Sequence, residues 1–440
     1  MFKKAAPLVI VPLLLLLWAR LGAQPLALFS FNALVNYPSP FTDPIPPGKE
    51  ADPVSKQVVL VMVDALRADT SRTMPAVNAL RRQGGDCTAQ VGLPSFSLPG
   101  WTVIGTGAWQ EQSGVTLNFY KGAVKVDSIF DAAKRKGLTT AIVAQSGSWK
   151  QLFPRNVDWN ESFQAPEDSH HHLPQVRRVD DQVEAAALKS LKENKPNLLL
   201  YYLAEPDDAG HGKGAASPEY RDAALATDAR IARLVSTLNL NESTLVVTAD
   251  HGMLDVGGHG GNEPVVTTVP IVLAGKGIKP GSQCSNGRQA DIAPTLAVLL
   301  GTSIPTHNQG RPLLEMLDMP AAARSQRAVD TAQEIADRYA PVAKILGASP
   351  FEHKKLEEAK ASLAGGNADT ATGAALADIE NTNAQFAAAR DARLWQERLG
   401  RLPIALLILL PIAFYFWVMW RMKWGWRAPI AGLLTYLVVY

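Results

Sequence analysis

The sequence predicts an α/β protein with a central, mostly parallel sheet and with transmembrane helices at its ends. Short apolar runs alternate with amphipathic helical segments through the middle of the chain, which is the pattern of a doubly wound sheet. Carboxylates and histidines follow several of these runs, where an open α/β sheet places its chemistry. Both ends of the chain are strongly apolar, which indicates membrane segments.

The predicted elements follow one another in a regular order. The first strand covers residues 57–63, because this run is apolar and β-branched and is followed by Asp64. Capping residues indicate helix starts, such as Asp127 before SIFDAAKRK and Ser217-Pro218 before a helix that reaches about Leu238. The remaining elements are a helix at 74–83, the strand TTAIVA, a helix at 180–192, a strand at 197–203, the strands STLVVTA and PIVLAG, and the helix DIAPTLAVLLG.

The charge and the cysteine content narrow the class of protein. A formal net charge of +2 gives no reason to expect a nucleic-acid partner. Two cysteines, Cys87 and Cys284, are too few for a disulfide framework. They can form one disulfide if the domain is exported, and otherwise they stay as two thiols. The sequence leaves both possibilities open.

Residues 1–36 are expected to form an N-terminal membrane anchor helix. Lys3 and Lys4 precede an apolar run with five consecutive leucines, and the chain stays apolar after Arg20. This stretch is long enough to span a bilayer. A cleaved signal peptide is the alternative, although residues 21–23 match a cleavage site poorly. Residues 37–56 follow as a Pro-rich, extended spacer.

Residues 401–440 are expected to form a C-terminal transmembrane region. The run from Leu402 to Trp420 has nineteen residues without a charge and is bounded by Arg401 and Arg421. The loop RMKWGWR carries three positive charges and no acid, so it should face the cytoplasm and leave the middle of the chain outside. The last apolar run has twelve residues, too few to cross. We therefore expect an incomplete chain or a short final segment.

Residues 322–400 differ in composition from the preceding part, since they are Ala-rich and charged. Ser349-Pro350 begins one helical run that ends at Gly365-Gly366, and a second run extends from about Thr372 to Leu399. This pattern predicts a helical hairpin that links the catalytic region to the membrane. A mobile linker is the alternative.

Seven residues spread over the middle of the chain have the chemistry of two adjacent metal sites. Each lies where an apolar run ends or a Gly/Pro-rich turn begins, so their side chains are expected to converge. Nitrogen and oxygen ligands without thiolates suit Zn²⁺ or another first-row divalent ion. A single Asp after a strand is more often a helix N-cap, and the metal interpretation rests on the ordered set. The set is Asp64, Ser97, Asp207, His211, Asp250, His251 and His259.

The motifs around these residues resemble the alkaline phosphatase superfamily in order and spacing. The resemblance is carried by VLVMVDALRAD, LPSFSLPGWTVIGTG, AEPDDAGHG, TADHGM and GGHGGNEP. Within the superfamily, the type I phosphodiesterase/nucleotide pyrophosphatase branch and the GPI ethanolamine-phosphate transferases are the most similar. The resemblance implies an alkaline-phosphatase-like sandwich, with a catalytic two-metal phosphoesterase domain over residues 57–321.

The resemblance also implies roles for the ligand set. One zinc ion would be held by Asp207, His211 and His259. The other would be held by Asp64, Asp250 and His251, with Ser97 bridging toward it as the nucleophile. A serine hydroxyl needs a base or a metal to ionise at neutral pH, and no His base adjoins Ser97 in sequence. The expected route is a covalent phosphoseryl-type intermediate, which water or an acceptor alcohol then attacks.

The residues around the nucleophile include further candidates. Ser95 is the alternative nucleophile, and the family pattern favours Ser97 because it directly precedes Leu98-Pro99. The segment from Gly100 to Gly107 should start a helix whose first amides face the phosphate. The three histidines at 170–172 follow no strand, so we assign them to a solvated loop. The candidate substrate contacts are Gly100, Trp101 and Lys213.

The main functional prediction is a membrane-anchored two-zinc phosphodiesterase or pyrophosphatase that hydrolyses an extracytoplasmic phosphodiester. The alternatives are a phosphoethanolamine transferase acting on a lipid or glycan acceptor, and a non-catalytic membrane scaffold with a relict fold. The sequence motifs do not all favour the same branch. SLPGW and GKGIKPG resemble the transferases, whereas EPDDAGH and TGAWQEQSG resemble the phosphodiesterases. Sulfate esters are disfavoured because SLPGW lacks the arginine of the sulfatase motif. The expected partners are the membrane and a phosphodiester, with lipid- and glycan-linked forms both open.

Overall fold

The computed structural model describes residues 16–165 and 173–421, and the histidines at 170–172 lie outside the described residues. The strands are β1 (Gln57–Val63), β2 (Gly85–Gln90), β3 (Thr140–Ala144), β4 (Trp159–Ser162), β5 (Leu198–Leu203), β6 (Ser243–Thr248), β7 (Thr268–Gly275) and β8 (Gly287–Arg288). In the described part of the chain they form one eight-stranded sheet with the order β4-β3-β5-β1-β6-β7-β2-β8. Strand β7 runs antiparallel to both of its neighbours, and the other pairs are parallel. The predicted α/β class with a mostly parallel sheet is confirmed.

The helices connect these strands and continue beyond them. Those of the catalytic region are α2 (Ala68–Ser71), α3 (Pro75–Gln83), α4 (Ser97–Thr106), α5 (Gln110–Ser113), α6 (Ile129–Arg135), α7 (Ser148–Leu152), α8 (Leu173–Glu193), α9 (Glu205–Lys213), α10 (Pro218–Thr237), α11 (Pro264–Thr267) and α12 (Ile292–Leu300). The flanking helices are α1 (Gln24–Val35), α13 (Ala321–Leu346), α14 (Lys354–Ala364) and α15 (Ala368–Arg421). Short 3₁₀ turns cover Gln289–Asp291 and Leu314–Met316, and a π-helical turn covers Ala19–Ala23.

The central strands are buried on both faces. Every residue of β5 and β6 is buried, as is every residue of β1 after Gln57. Because successive side chains of a strand point to opposite faces, helices must cover both sides of this part of the sheet. This explains why the three strands are rich in apolar residues and show no regular alternation with charged ones.

Most predicted elements lie within two or three residues of the observed ones, and the exceptions are informative. Helix α8 begins at Leu173, seven residues before the predicted start at Asp180. Strands β2 and β4 were not predicted, because GDCTAQ and WNES are short and largely polar. Helix α9 was not predicted either, because EPDDAGHGK contains two glycines and few good helix formers.

Residues 35–386 form one compact unit. Helix α13 contributes Ile335 and Tyr339 to the same hydrophobic core as the sheet. The Tyr339 ring packs on Phe386 of α15 at 5.2 Å between centroids, and Phe386 contacts Phe41 of the Pro-rich segment at 6.3 Å. Residues 321–386 are therefore packed onto the sheet domain. The linker role of residues 322–400 stays a prediction.

The two ends of the chain belong to a second compact unit, made of residues 1–34 and 387–440. Large apolar side chains such as Phe29 and Trp420 are exposed there. In the part of the chain that the structure describes, no helix has both the length and the apolar character needed to cross a membrane. The transmembrane helices expected at both ends are thus not found among the described residues, and parts of both stretches lie outside them.

Candidate metal centre

The topology of the sheet brings three carboxylates together. Strands β5, β1 and β6 are adjacent and parallel, so their carboxyl ends share one edge. Asp64 directly follows β1, Asp250 follows β6 by two residues, and Asp207 lies in the first turn of α9 after β5. Their carboxylates therefore converge at this edge, as the sequence predicted.

Helix α9 and the loop before α11 supply the outer part of the site. Asp207 and His211 are four residues apart on α9, which puts them on one face, with His211 Nε2 3.4 Å from Asp207 Oδ1. His259 approaches the same pair from its glycine-rich loop. Its Nε2 lies 3.7 Å from Asp207 Oδ1 and 3.1 Å from His211 Nε2.

The inner part of the site is fully buried. His251 Nε2 lies 3.4 Å from Asp64 Oδ1 and 3.7 Å from Asp250 Oδ2. Ser97, the first residue of α4, holds its Oγ 3.2 Å from the same nitrogen. The rings of His251 and His259 stack with centroids 3.8 Å apart, so the inner and outer parts adjoin.

The candidate ligands form two groups, and within each group all the ligand atoms lie within 4.8 Å of one another. One contains Asp64, Asp250 and His251, and the other contains Asp207, His251 and His259. The first group has the membership that the family resemblance implied. In the second, His251 takes the place expected for His211, which is exposed and contacts Asp207 and His259 from one side. The exact assignment of ligands to ions stays a prediction.

Unpaired buried atoms show that this arrangement suits a cation. Oδ1 of Asp64 and Oδ1 of Asp207 are both buried and have no hydrogen-bond partner among the residues that the structure describes. A buried carboxylate oxygen without a partner is costly, and a metal ion removes that cost. The residues present therefore fit the divalent ions that the sequence predicts.

The histidines are oriented as metal ligands. His251 Nδ1 donates to the Gly252 carbonyl at 3.0 Å, and His259 Nδ1 donates to the Ser95 carbonyl at 3.1 Å. Because a carbonyl only accepts, Nδ1 carries the proton in both rings. The lone pair of each Nε2 is left facing the carboxylates, as in metal sites whose histidines are anchored through the other nitrogen.

Burial controls the charge of the site. It raises the pKa of Asp64 and of Asp207 well above the ordinary value, and the neighbouring carboxylates raise both further. Burial also raises the pKa of Asp250 to about 6. It lowers the pKa of His251 and of His259 to about 3, so both imidazoles are neutral and able to coordinate. Three carboxylates can all ionise in so dry a site only if cations neutralise them.

The two candidate nucleophiles have different surroundings. Ser97 Oγ faces the ligand cluster, and the next amide, that of Leu98, donates to Asn118 Oδ1 at 2.9 Å. Ser95 Oγ faces away from the cluster, since it donates to the Gly261 carbonyl at 2.8 Å and accepts from the Gly260 amide at 3.1 Å. Ser97 is placed for chemistry, and Ser95 holds the loop that carries His259.

The three residues predicted to contact the substrate, Gly100, Trp101 and Lys213, lie in different surroundings. A Cβ at Gly100 would lie only 3.0 Å from Asp250 Cβ and from the Asp250 carbonyl oxygen, so the glycine allows α4 to approach that residue. Trp101 is buried and donates Nε1–H to Asp250 Oδ2 at 2.7 Å, while its ring stacks on Trp149. This hydrogen bond indicates that Trp101 orients Asp250, and a contact between Trp101 and a substrate stays a prediction. Lys213 is exposed at the end of α9.

Several residues that support the site were missed in the sequence. Tyr202 donates its hydroxyl proton to Asp64 Oδ2, and Gln289 Nε2 donates to the Asp250 carbonyl at 2.6 Å. In the sequence, Tyr202 is one residue of an apolar strand and is indistinguishable from a core residue. Asn118 is a loop residue with no motif around it. No local pattern could have identified these three residues.

A buried ionic cluster holds the start of α9. The Asp180 carboxylate of α8 accepts from the amides of Ala204 and Glu205 at 3.3 and 3.1 Å. The Glu205 side chain is fully buried and pairs with Arg177 at 2.6 Å and with Arg230 at 2.8 Å. These contacts support the turn that carries Asp207, because they satisfy the first amides of a helix with a poor intrinsic propensity.

Comparisons with known proteins agree with this geometry. The family model of type I phosphodiesterase/nucleotide pyrophosphatase matches residues 58–268. GPI ethanolamine phosphate transferase 1 of Emericella nidulans is 26% identical over 397 residues, which cover 76% of this chain and 40% of the relative. The catalytic subunit of human GPI ethanolamine phosphate transferase 2 is 26% identical over 295 residues, with 60% and 29% coverage. The chain spans 40% or less of the length of these curated relatives.

Solved structures share the fold. Human ectonucleotide pyrophosphatase/phosphodiesterase 5 superposes with a TM-score of 0.51 at 16% identity, over 60% of this chain and 100% of that one. The alkaline phosphatase PafA superposes with a TM-score of 0.51 at 12% identity, over 61% and 100%. The expected alkaline-phosphatase-like architecture is confirmed. Residues 58–268 of this chain thus match the type I phosphodiesterase/nucleotide pyrophosphatase family model, and the chain is similar in sequence to the GPI ethanolamine phosphate transferases.

Proposed function

We propose that this protein is a metal-dependent phosphotransferase that moves a phosphoethanolamine-type group from a lipid donor to an alcohol on a lipid or glycan. The observation that carries the proposal is the position of Ser97 Oγ, 3.2 Å from His251 Nε2 and beside two carboxylate–imidazole groups. The names of the curated relatives favour transfer over the hydrolysis that we expected first. Hydrolysis of a phosphodiester is the second candidate, which the matching family model favours.

Two divalent ions, with Zn²⁺ as the first choice, are part of the proposal. Asp64, Asp250 and His251 would hold one ion. Asp207 and His259 would hold the other, together with His211 or His251. The unpaired Oδ1 atoms of Asp64 and Asp207 support this assignment. Bound there, the ions would lower the pKa of the Ser97 hydroxyl and neutralise charge on the phosphoryl oxygens.

The chain's own residues then account for the bond changes. Ser97 Oγ bonds to the phosphorus of the donor, the bond from phosphorus to the lipid alcohol breaks, and the Ser97 proton ends on the released alcohol. In a second displacement the acceptor hydroxyl takes the phosphoethanolamine group, and its proton returns to Ser97. The N-terminus of α4 favours the negative phosphoryl group. Asn118, which contacts the Leu98 amide, is placed to add a side-chain donor.

The active site is proposed to face away from the cytoplasm. The disulfide between Cys87 and Cys284, with Cα atoms 5.4 Å apart, supports an oxidising compartment. The positive charges that flank the apolar ends support the same orientation by the positive-inside rule. A site on that side of the membrane would meet lipid- and glycan-linked substrates.

The test compares transfer with hydrolysis in one assay. The full chain is supplied with Zn²⁺ and a lipid whose ethanolamine phosphate headgroup is labelled, with and without an acceptor alcohol. We expect label on the acceptor and none from Ser97→Ala. Release of free phosphoethanolamine that is independent of the acceptor would favour hydrolysis. A metal-loaded protein that turns over neither this lipid nor bis-p-nitrophenyl phosphate would refute the proposal.

Metal content tests the centre itself. Purified protein should contain about two divalent ions per chain. Asp250→Asn should remove one of them and Asp207→Asn the other, whereas Asp208→Asn, the neighbour on α9, should retain both. Loss of an ion from His211→Ala would assign His211 to the outer site. Active protein without bound metal would contradict the proposal.

A further inference from the structure

Large apolar side chains are exposed at a few places on the sheet domain. Between residues 35 and 386, among the residues that the structure describes, there are five of them. They are Leu93 (54% exposed), Phe119 (61%), Leu225 (44%), Val256 (90%) and Ile345 (45%). Leu225 and Ile345 lie on helices α10 and α13, as scattered surface residues commonly do. The other three lie on loops that carry or contact residues of the metal centre.

Leu93 and Phe119 lie close in sequence to residues that contact the segment of the proposed nucleophile Ser97. Leu93 lies two residues before Ser95, whose carbonyl accepts from His259 Nδ1. Phe119 follows Asn118, whose Oδ1 accepts from the amide of Leu98, the residue after Ser97. Two of the most exposed apolar side chains of the domain thus lie beside the segment that carries the nucleophile.

Val256 lies on a loop that packs against the helix of the outer part of the metal centre. The loop that carries it packs on the end of α9, because the amides of Ala215 and Ala216 donate to the carbonyls of Leu254 and Asp255 at 3.0 and 3.3 Å. A Cβ at Gly214 would collide with the backbone of Asp255 and Val256, so the contact is tight. Val256 therefore lies near the end of the helix that carries His211.

The charges near the three exposed apolar side chains indicate which kind of surface they contact. Lys121, on the loop of Phe119, and Lys213, at the end of α9, are exposed, and neither forms an ion pair with a described residue. Asp255 pairs with Arg67 at 2.5 Å, and the same guanidinium pairs with Asp69 at 2.6 Å, so one cation is shared by two exposed acids. Glu263 is a further exposed acid on these loops. Apolar side chains interspersed with unpaired lysines suit a bilayer surface, where acyl chains and lipid phosphates lie side by side. A second copy would oppose lysines to lysines.

We propose that Leu93, Phe119 and Val256 form an apolar rim that inserts into the lipid interface and presents a lipid headgroup to Ser97. The inference deepens the proposed function and rests on it, because it makes the substrate a lipid held in a membrane. The rim does not take part in the bond changes. Its role is to bring the catalytic edge of the sheet to the depth of the headgroups.

The first experiment measures insertion without relying on activity. The full chain is reconstituted in vesicles of phosphatidylcholine and phosphatidylglycerol, with an environment-sensitive fluorophore on Phe119→Cys or, as control, on Leu225→Cys. The native cysteines are paired and take no label. We expect a blue shift and quenching by spin-labelled lipids for the probe at 119 only. Equal responses at both positions would overturn the proposal.

The second experiment separates the rim from the chemistry. The triple variant Leu93→Ser, Phe119→Ser, Val256→Ser is compared with Leu225→Ser on a vesicle-embedded ethanolamine phospholipid and on soluble bis-p-nitrophenyl phosphate. Losing three inserted side chains should lower turnover of the lipid by at least about tenfold, with turnover of the soluble diester nearly unchanged. An equal loss on both substrates would overturn the proposal.

The two experiments also separate failure of the rim from failure of the proposed function. If the probe on Phe119→Cys inserts but wild-type protein never turns over the lipid, the rim is kept and the lipid transferase is rejected. If wild-type protein turns over the lipid but the probe on Phe119→Cys is unshielded, the transferase is kept and the rim is rejected. A change of oligomeric state in the triple variant, measured by cross-linking in the same vesicles, would assign the surface to a second copy and also reject the rim.

Discussion

Replacing Ser97 and Ser95 one at a time by alanine separates the nucleophile from the residue that holds the site together. Ser97→Ala removes the attacking oxygen, so turnover should fall by about a thousandfold or more. The only contact of its hydroxyl given by the structure is with His251 Nε2 at 3.2 Å. The free energy of unfolding and the metal content should therefore change little.

Ser95→Ala should behave in the opposite way. It removes two hydrogen bonds, to the Gly261 carbonyl and from the Gly260 amide, and leaves both backbone groups without this partner. Such a loss costs about 1–3 kcal/mol in the free energy of unfolding. Because these bonds hold the loop that carries His259, metal affinity should also fall, by about 10–100-fold. At saturating metal most of the turnover should return.

The assay is turnover of bis-p-nitrophenyl phosphate over a range of Zn²⁺ concentrations, with metal content and urea unfolding measured on the same samples. Mass spectrometry of wild-type protein quenched during turnover should place the covalent phosphodiester on Ser97. The reasoning would be refuted if Ser95→Ala stayed inactive at saturating metal while Ser97→Ala kept its turnover.

Three further predictions follow from the surroundings of the centre. Trp101→Phe removes the indole bond to Asp250 but keeps a ring in the stack, so affinity for Zn²⁺ should fall about 10–100-fold in a chelator competition, and unchanged affinity would count against this role. Burial raises the pKa of Asp180 to about 8, so its contribution to the free energy of unfolding is complete below about pH 4 and is lost as the pH rises to about 8. In urea unfolding, Asp180→Asn should flatten the pH dependence of the free energy of unfolding between about pH 4 and about pH 8. Identical pH profiles for the variant and the wild type would exclude this contribution of Asp180. A membrane-impermeant maleimide added to intact cells should label Asn241→Cys but not Lys423→Cys, and the reverse pattern would place the domain in the cytoplasm.

The strands and the positions of the carboxylates could be read from the sequence. The runs that form β1, β5 and β6 are largely apolar because both of their faces are buried, and this pattern predicts buried strands. Polar residues directly after parallel strands must meet at one edge, since the strands end there together. The convergence of Asp64, Asp207 and Asp250 is therefore a consequence of local sequence and of the parallel topology.

The sequence did not indicate that Asp207 and His211 lie on a helix. The intrinsic propensity of EPDDAGHGK is poor, and the Asp180 carboxylate of another helix caps its first amides. The family resemblance implied that the two residues share a metal ion, but the four-residue step along α9 is what puts both side chains on one face. A stabilising contact from a distant segment leaves no trace in the local pattern.

The sequence by itself indicated the α/β class and the edge of the sheet where the candidate ligands lie, because strand burial follows from local residue patterns and parallel strands end at one edge. Tertiary structure alone decided the supporting layer. Tyr202 and Gln289 donate hydrogen bonds to Asp64 and to the Asp250 carbonyl, and no sequence pattern marks either residue. Trp101, which was expected to contact the substrate, donates a hydrogen bond to Asp250. Tertiary structure also decided between a disulfide and two thiols, because β2 pairs with β8 and so brings Cys87 to Cys284 across 197 residues. Distances between residues far apart in the chain are set by packing, and packing is a property of the whole fold.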